Sequence, residues 1–149
     1  MIGDNCWSRF VVKSRGSYNS TMGYISDSEF VFDPNDITQI LGVNPDVVCE
    51  YGKQKRGLSK SSSVYMFSGW YGLKIQEPPL DRSKHLQMII EALSPSKEKL
   101  IEFKERYNPI YEIELSIYSG SNSDISISQD ELSFLMDVGI ELRIITLLM

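Results

Sequence analysis

The chain has little of what most protein chemistry is built from. Its 149 residues hold one histidine and two cysteines. A zinc site needs several His or Cys ligands at short spacing, and His85 has no such neighbour in sequence. Cys6 and Cys49 share no motif and would pair only if the fold brought them together. Separated thiols fit a reducing cytoplasm, and "MIGDNCWSRFVV" lacks the basic stretch and hydrophobic run of an export signal. No apolar run approaches the roughly 20 residues that span a bilayer, and the closing "LRIITLLM" is of strand length. A soluble cytoplasmic protein with no membrane association is expected. Phosphate-loop, dinucleotide and calcium-loop signatures are missing as well. Two Ser-x-x-Lys matches, Ser94 to Lys97 and Ser96 to Lys99, lack a companion motif and fall at a helix start. No cofactor or metal is expected.

Base is also in short supply. The net charge is −5 and the pI about 4.9, unevenly spread. Residues 1–52 carry seven acids and three bases (−4), residues 53–108 six acids and eleven bases (+5), and residues 109–149 seven acids and one base (−6). Phosphate contacts need clustered Lys and Arg, so a dedicated nucleic-acid binder is not expected. The one basic cluster, "KQKRGLSK" (53–60), reads as a solvated loop.

What is present is an ordinary globular composition. Hydrophobic residues make up 42% and charged residues 23%, which disfavours disorder. A chain this long buries roughly 68–70% of its unfolded surface, and neither a linker nor a repeat divides it. One domain over 1–149 is expected.

The pattern alternates strands with helices. "WSRFVVK" (7–13) reads as a strand, 14–23 as a surface loop or hairpin connection, and 24–32 as a second strand or extended lead-in. "DPNDITQILG" (33–42) is a helix with complete end signals: Asp33 as N-cap, Pro34 in the first turn, Asp36 at the positive end, Gly42 at C′. Residues 61–76 read as one long or bent strand, with Gly69 and Gly72 marking a bulge or kink. Residues 81–93 form a helix burying Leu86, Ile89, Ile90 and Leu93. Ser94 caps a further helix that runs through 97–107. Residues 109–119 alternate as a strand, with Tyr111, Ile113, Leu115 and Ile117 buried and Glu112, Glu114, Ser116 and Tyr118 wet. "SQDE" (128–131) is a capping box opening a helix that ends near Gly139, and 141–149 is a closing strand. The expected fold is α+β: a two-layer sandwich, one mixed and mostly antiparallel sheet with helices on one face.

Two sets of residues are candidates for function. Glu112 and Glu114, with Tyr118, form an acidic strand face suited to a protein partner of opposite charge. Trp70 and Tyr71, with His85, would line a pocket for a small ligand or an enzymatic reaction if the fold converged them.

Several of these segments together resemble a known family. "FDPNDITQILGVNPD" (32–46), Gly52, "GWYGLKI" (69–75), "LDRSKHLQMIIEALSPSKEKLIEF" (80–103) and "ISQDELSFLMDVGIELRI" (127–144) occur in the order of the bacterial domain of unknown function 4279. The resemblance covers roughly residues 30–146. It differs in a long serine-rich stretch before the first helix and an aliphatic end. It implies no catalytic residue. By analogy it implies an immunity or accessory factor beside a secreted toxin. The expected function is therefore a non-catalytic protein-interaction module, with a basic toxin domain as the partner class.

Overall fold

The sheet is built around β1 (Ser8–Lys13), which has antiparallel neighbours on both sides. The computed structural model describes residues 7–53, 64–76, 82–118 and 125–147, with the side chains of Tyr118 and Leu147 excepted. β5 (Gly69–Ile75) flanks β1 on one side and β6 (Ile110–Tyr118) on the other. The short β4 (Val47–Cys49) lies outside β5, and β7 (Ile140–Leu147) runs parallel to β6, giving the order β4-β5-β1-β6-β7. β2 (Gly16–Asn19) and β3 (Gly23–Ser26) form a separate hairpin. This is the expected α+β fold with a mixed, mostly antiparallel sheet.

Alternation along β1 divides the molecule into two layers. Phe10 and Val12 face one way, in register with Ile113 and Tyr111 of β6 and with Gly72 and Trp70 of β5. On that face lies the core, shared with α1 (Pro34–Leu41), α2 (Arg82–Leu93), α3 (Lys97–Tyr107) and α4 (Gln129–Val138). Arg9, Val11 and Lys13 face the other way, toward the side where the hairpin sits. A serine knot ties that hairpin to the sheet. The Ser14 and Ser26 hydroxyls are 2.6 Å apart, Ser68 N–H donates to Ser14 Oγ at 2.8 Å, and the Tyr24 hydroxyl donates to the Ser14 carbonyl at 2.8 Å.

The helix ends follow their local chemistry. Asp33 Oδ1 accepts from Asn35 N–H at 3.0 Å, and Gly42 closes α1 in the left-handed conformation at φ 69°. Both halves of the Ser128–Glu131 capping box are made. Ser94 differs from expectation. Its hydroxyl donates back to the Ile90 carbonyl at 2.8 Å, and a 3-10 turn (Ser94–Ser96) leads into α3. With Pro95 inside that turn, the serine is better placed to satisfy the end of α2 than the start of α3.

Three other segments are corrected in detail. Residues 24–32 divide into β3 and a 3-10 turn at Ser28–Phe30. Regular strand in the 64–76 stretch is confined to β5, where the register slips between Ser8 and Phe10 of β1 and Leu73 takes φ 54°. That bulge adjoins Gly72, as its glycines suggested. The wet face of β6 is the largest correction: Glu112 and Glu114 are only 9% and 4% exposed. Strands on both sides and the layer above enclose them, which alternation within one strand cannot show. Cys6, most of the 53–60 basic cluster, 77–81 and 119–124 lie outside the described residues. Cys49 is buried at the end of β4.

Candidate functional site

β6 places Glu112 and Glu114 on one face, two residues or about 7 Å apart. Its neighbours set what surrounds them. Antiparallel pairing puts Arg9 opposite Glu114 and Val11 opposite Glu112. β5 puts Tyr71 opposite Val11, and the parallel ladder puts Arg143 beside Glu114. The result is a recess of about 330 Å³ on the face of the sheet opposite α1 to α4, walled further by Trp7, Lys13, Tyr18 and Ile145.

Arg9 is the most constrained group there. Its guanidinium lies 4.6 Å from the Trp7 ring centre and 4.7 Å from that of Tyr71, so it is sandwiched between two aromatic faces. Its Nη2 donates to Glu114 Oε2 at 3.4 Å. Trp7 is held by Ser116, which accepts from Trp7 N–H at 2.7 Å and donates to the Trp7 carbonyl at 2.5 Å. Lys13 sits over the Tyr24 ring at 4.6 Å. Burial, with Cys49 adding to it, pushes the Tyr71 phenol well above its ordinary range, against the pull of Arg9. The phenol is therefore neutral at the floor of the recess.

Glu112 is treated differently from Glu114. Its Oε2 is buried and has no hydrogen-bond partner. The nearest cation, Arg143 Nη1, stands 3.9 Å away on a side chain 58% exposed. A buried carboxylate oxygen without a donor is costly unless something supplies one. The recess can thus accept a hydrogen bond or a positive group at Glu112, while Glu114 is already paired.

The other predicted residues do not meet here. Trp70 and Tyr71 are adjacent in β5 and point to opposite layers. Trp70 is fully enclosed in the core, its indole N–H donating to Thr38 Oγ1 at 3.0 Å. His85 projects from α2 toward the core and its Nδ1 lies 2.7 Å from the hydroxyl of Ser8. Ser8 is completely buried, so the pair ties α2 to β1. Ser8 and Trp70's partner Val12 are four residues apart along β1, roughly 13 Å. The Trp70–Tyr71–His85 pocket is therefore not formed, because strand alternation separates its first two members. Tyr118 ends β6 opposite Leu147; its side chain lies outside the described residues.

Arg9, Trp7 and Arg143 escaped the sequence reading. A signal was present: Trp7, Arg9, Val11 and Lys13 fall on one face of a predicted strand, and Arg143 is the lone base of an acidic third. A larger groove of about 580 Å³ runs between α1 and α3, bordered by Asp36, Lys99, Glu102 and Arg106. Its charges are balanced, two of each sign, and none of these four is buried, so it lacks an unmet polar demand. Among the described residues no group of three or more His, Cys, Asp or Glu is placed to hold a metal, and no helix is long and apolar enough to cross a membrane.

Neither curated proteins nor solved structures give a match. A family model does, the domain of unknown function DUF4279, over residues 20–149. That span takes in every element from β3 onward and leaves out β1, including Arg9. The chain belongs to the DUF4279 family.

Proposed function

We propose that the protein is a non-catalytic binding module that receives a basic side chain of a protein partner in the recess over Glu112. The observation that carries this is the buried Glu112 Oε2 without a donor. An incoming Lys or Arg supplies that donor and displaces the loosely held Arg143 toward solvent. The overall charge of −5 would speed the approach of a basic partner. A basic toxin domain neutralised by an immunity-type factor is the partner class that fits this chemistry.

The test is co-expression with the product of the adjacent gene, followed by calorimetry on the purified pair. Glu112→Gln keeps the shape of the recess and removes the charge. Binding is expected to weaken at least about thirtyfold while the melting temperature does not fall. No partner, or a partner held equally well by the variant, would overturn the proposal.

A second occupant is favoured by the dimensions of the recess. At about 330 Å³ it falls at the small end of ligand pockets, roughly 300–1,000 Å³. A small organic cation bound against Tyr71 and Glu112 would raise the melting temperature of the isolated protein and not that of Glu112→Gln.

A further inference from the structure

The two edges of the sheet are unlike each other. β4, at one edge, is three residues long. β7, at the other, has eight residues and carries no proline, glycine or lysine. Long regular edges template the addition of another strand, and proteins commonly shorten, bend or charge them to prevent it. Among the described residues no strand pairs with the outer side of β7. Ile144 on this edge is 49% exposed.

The sequence of β7 says what fits beside it. Residues 140–144 read Ile-Glu-Leu-Arg-Ile, which is a palindrome in hydrophobicity and an anti-palindrome in charge about Leu142. Two copies paired antiparallel about a two-fold axis at Leu142 place Ile140 opposite Ile144 of the second copy. They place Glu141 opposite Arg143, and Leu142 opposite itself. Directly opposed residues of an antiparallel pair lie on the same face. The three apolar residues therefore extend the core-side layer, and both Glu–Arg contacts form on the opposite side. A slip by two residues would set Glu141 against itself, or Arg143 against itself with Glu141 against Ile145, and both charge contacts would be lost.

We infer that the protein forms a two-fold dimer through β7, joining two five-stranded sheets into one of ten strands. The occupant of the edge is a second copy of the chain, because charge and apolar pattern are both self-complementary in a single register. The apolar contacts of this dimer lie on the opposite side of the sheet from the Glu112 recess, while Arg143 borders both. A closed two-fold interface also uses up the edge, so it protects against open-ended addition of strands.

The experiment is sedimentation of the full chain, wild type and variants, across a wide concentration range, with each variant's thermal melt confirming its fold. The wild type should sediment as a dimer. Arg143→Glu sets two like-charge pairs across the axis and should weaken the dimer roughly tenfold or more. The double variant Glu141→Arg/Arg143→Glu restores opposite charges in the same register and should regain the wild-type dimer. Ile144→Lys, half exposed in the single chain, should sediment as a monomer. A monomeric wild type, a dimer indifferent to Arg143→Glu and Ile144→Lys, or a double variant no better than the single one would overturn the inference.

Discussion

At Gly72 the missing side chain has a direct structural use. The Trp70 indole lies across the space where a Cβ would stand, and an added Cβ would approach ring atom Cη2 to 2.4 Å. The ring cannot move cheaply. It is fully buried, meets Phe10 edge to face at 6.3 Å between ring centres, and is pinned by its bond to Thr38. Gly72→Ala should therefore destabilise the protein by about 1–3 kcal/mol, the usual cost of overpacking, and shift the tryptophan fluorescence. Urea unfolding followed by fluorescence measures both, and an unchanged midpoint would show that the ring relaxes freely. The sequence marked both glycines of β5 as a bulge or kink, of which only Gly72 adjoins one, and it could not show this reason for Gly72. The contact depends on the Trp70 rotamer, and a rotamer is decided by packing.

Among the elements, α1 was the most legible and β6 the least. The ends of α1 are determined within ten residues: Asp33 accepts the hydrogen bond of Asn35, Pro34 needs no donor, and Gly42 adopts a backbone that other residues resist. Asp33→Ala removes a cap and should cost about 0.5–2 kcal/mol. Circular dichroism melts would register it, and because Asp33 is remote from β6, recess binding should persist. Loss of binding at unchanged stability would instead make α1 part of a site. β6 shows the opposite case. Its alternation correctly divided Tyr111, Ile113 and Leu115 from Glu112 and Glu114, but alternation only separates two faces. Which face water reaches depends on neighbours distant in sequence, here Arg9, Tyr71 and Arg143. For the same reason the acidic surface expected of Glu112 and Glu114 became a recess with one carboxylate hydrogen-bonded by Arg9 and one holding a buried oxygen without a donor.

At the scale of the whole molecule, the family match and the architecture disagree about where the structure begins. The matched span opens at residue 20, yet β1 lies at the middle of the sheet, between β5 and β6. Phe10 and Val12 are fully buried, and Phe10 packs against both Trp70 and Tyr111. Removing β1 would open the inner edges of β5 and β6 and leave a hole in the core where Phe10 had been. A single Phe→Ala in a core costs about 3–5 kcal/mol, and whole proteins are stable by about 5–15 kcal/mol. Losing a central strand, with two core side chains and two ladders of hydrogen bonds, exceeds that margin. The segment 20–149 alone should therefore fail to fold, giving collapsed amide dispersion in a proton–nitrogen spectrum where the full chain gives well-spread peaks. A well-dispersed spectrum from 20–149 would mean that β5 and β6 can close on each other, making β1 an addition to a fold complete without it. In that case Arg9 and Trp7 would be additions too, and the recess over Glu112 would have to be rebuilt from β5, β6 and β7.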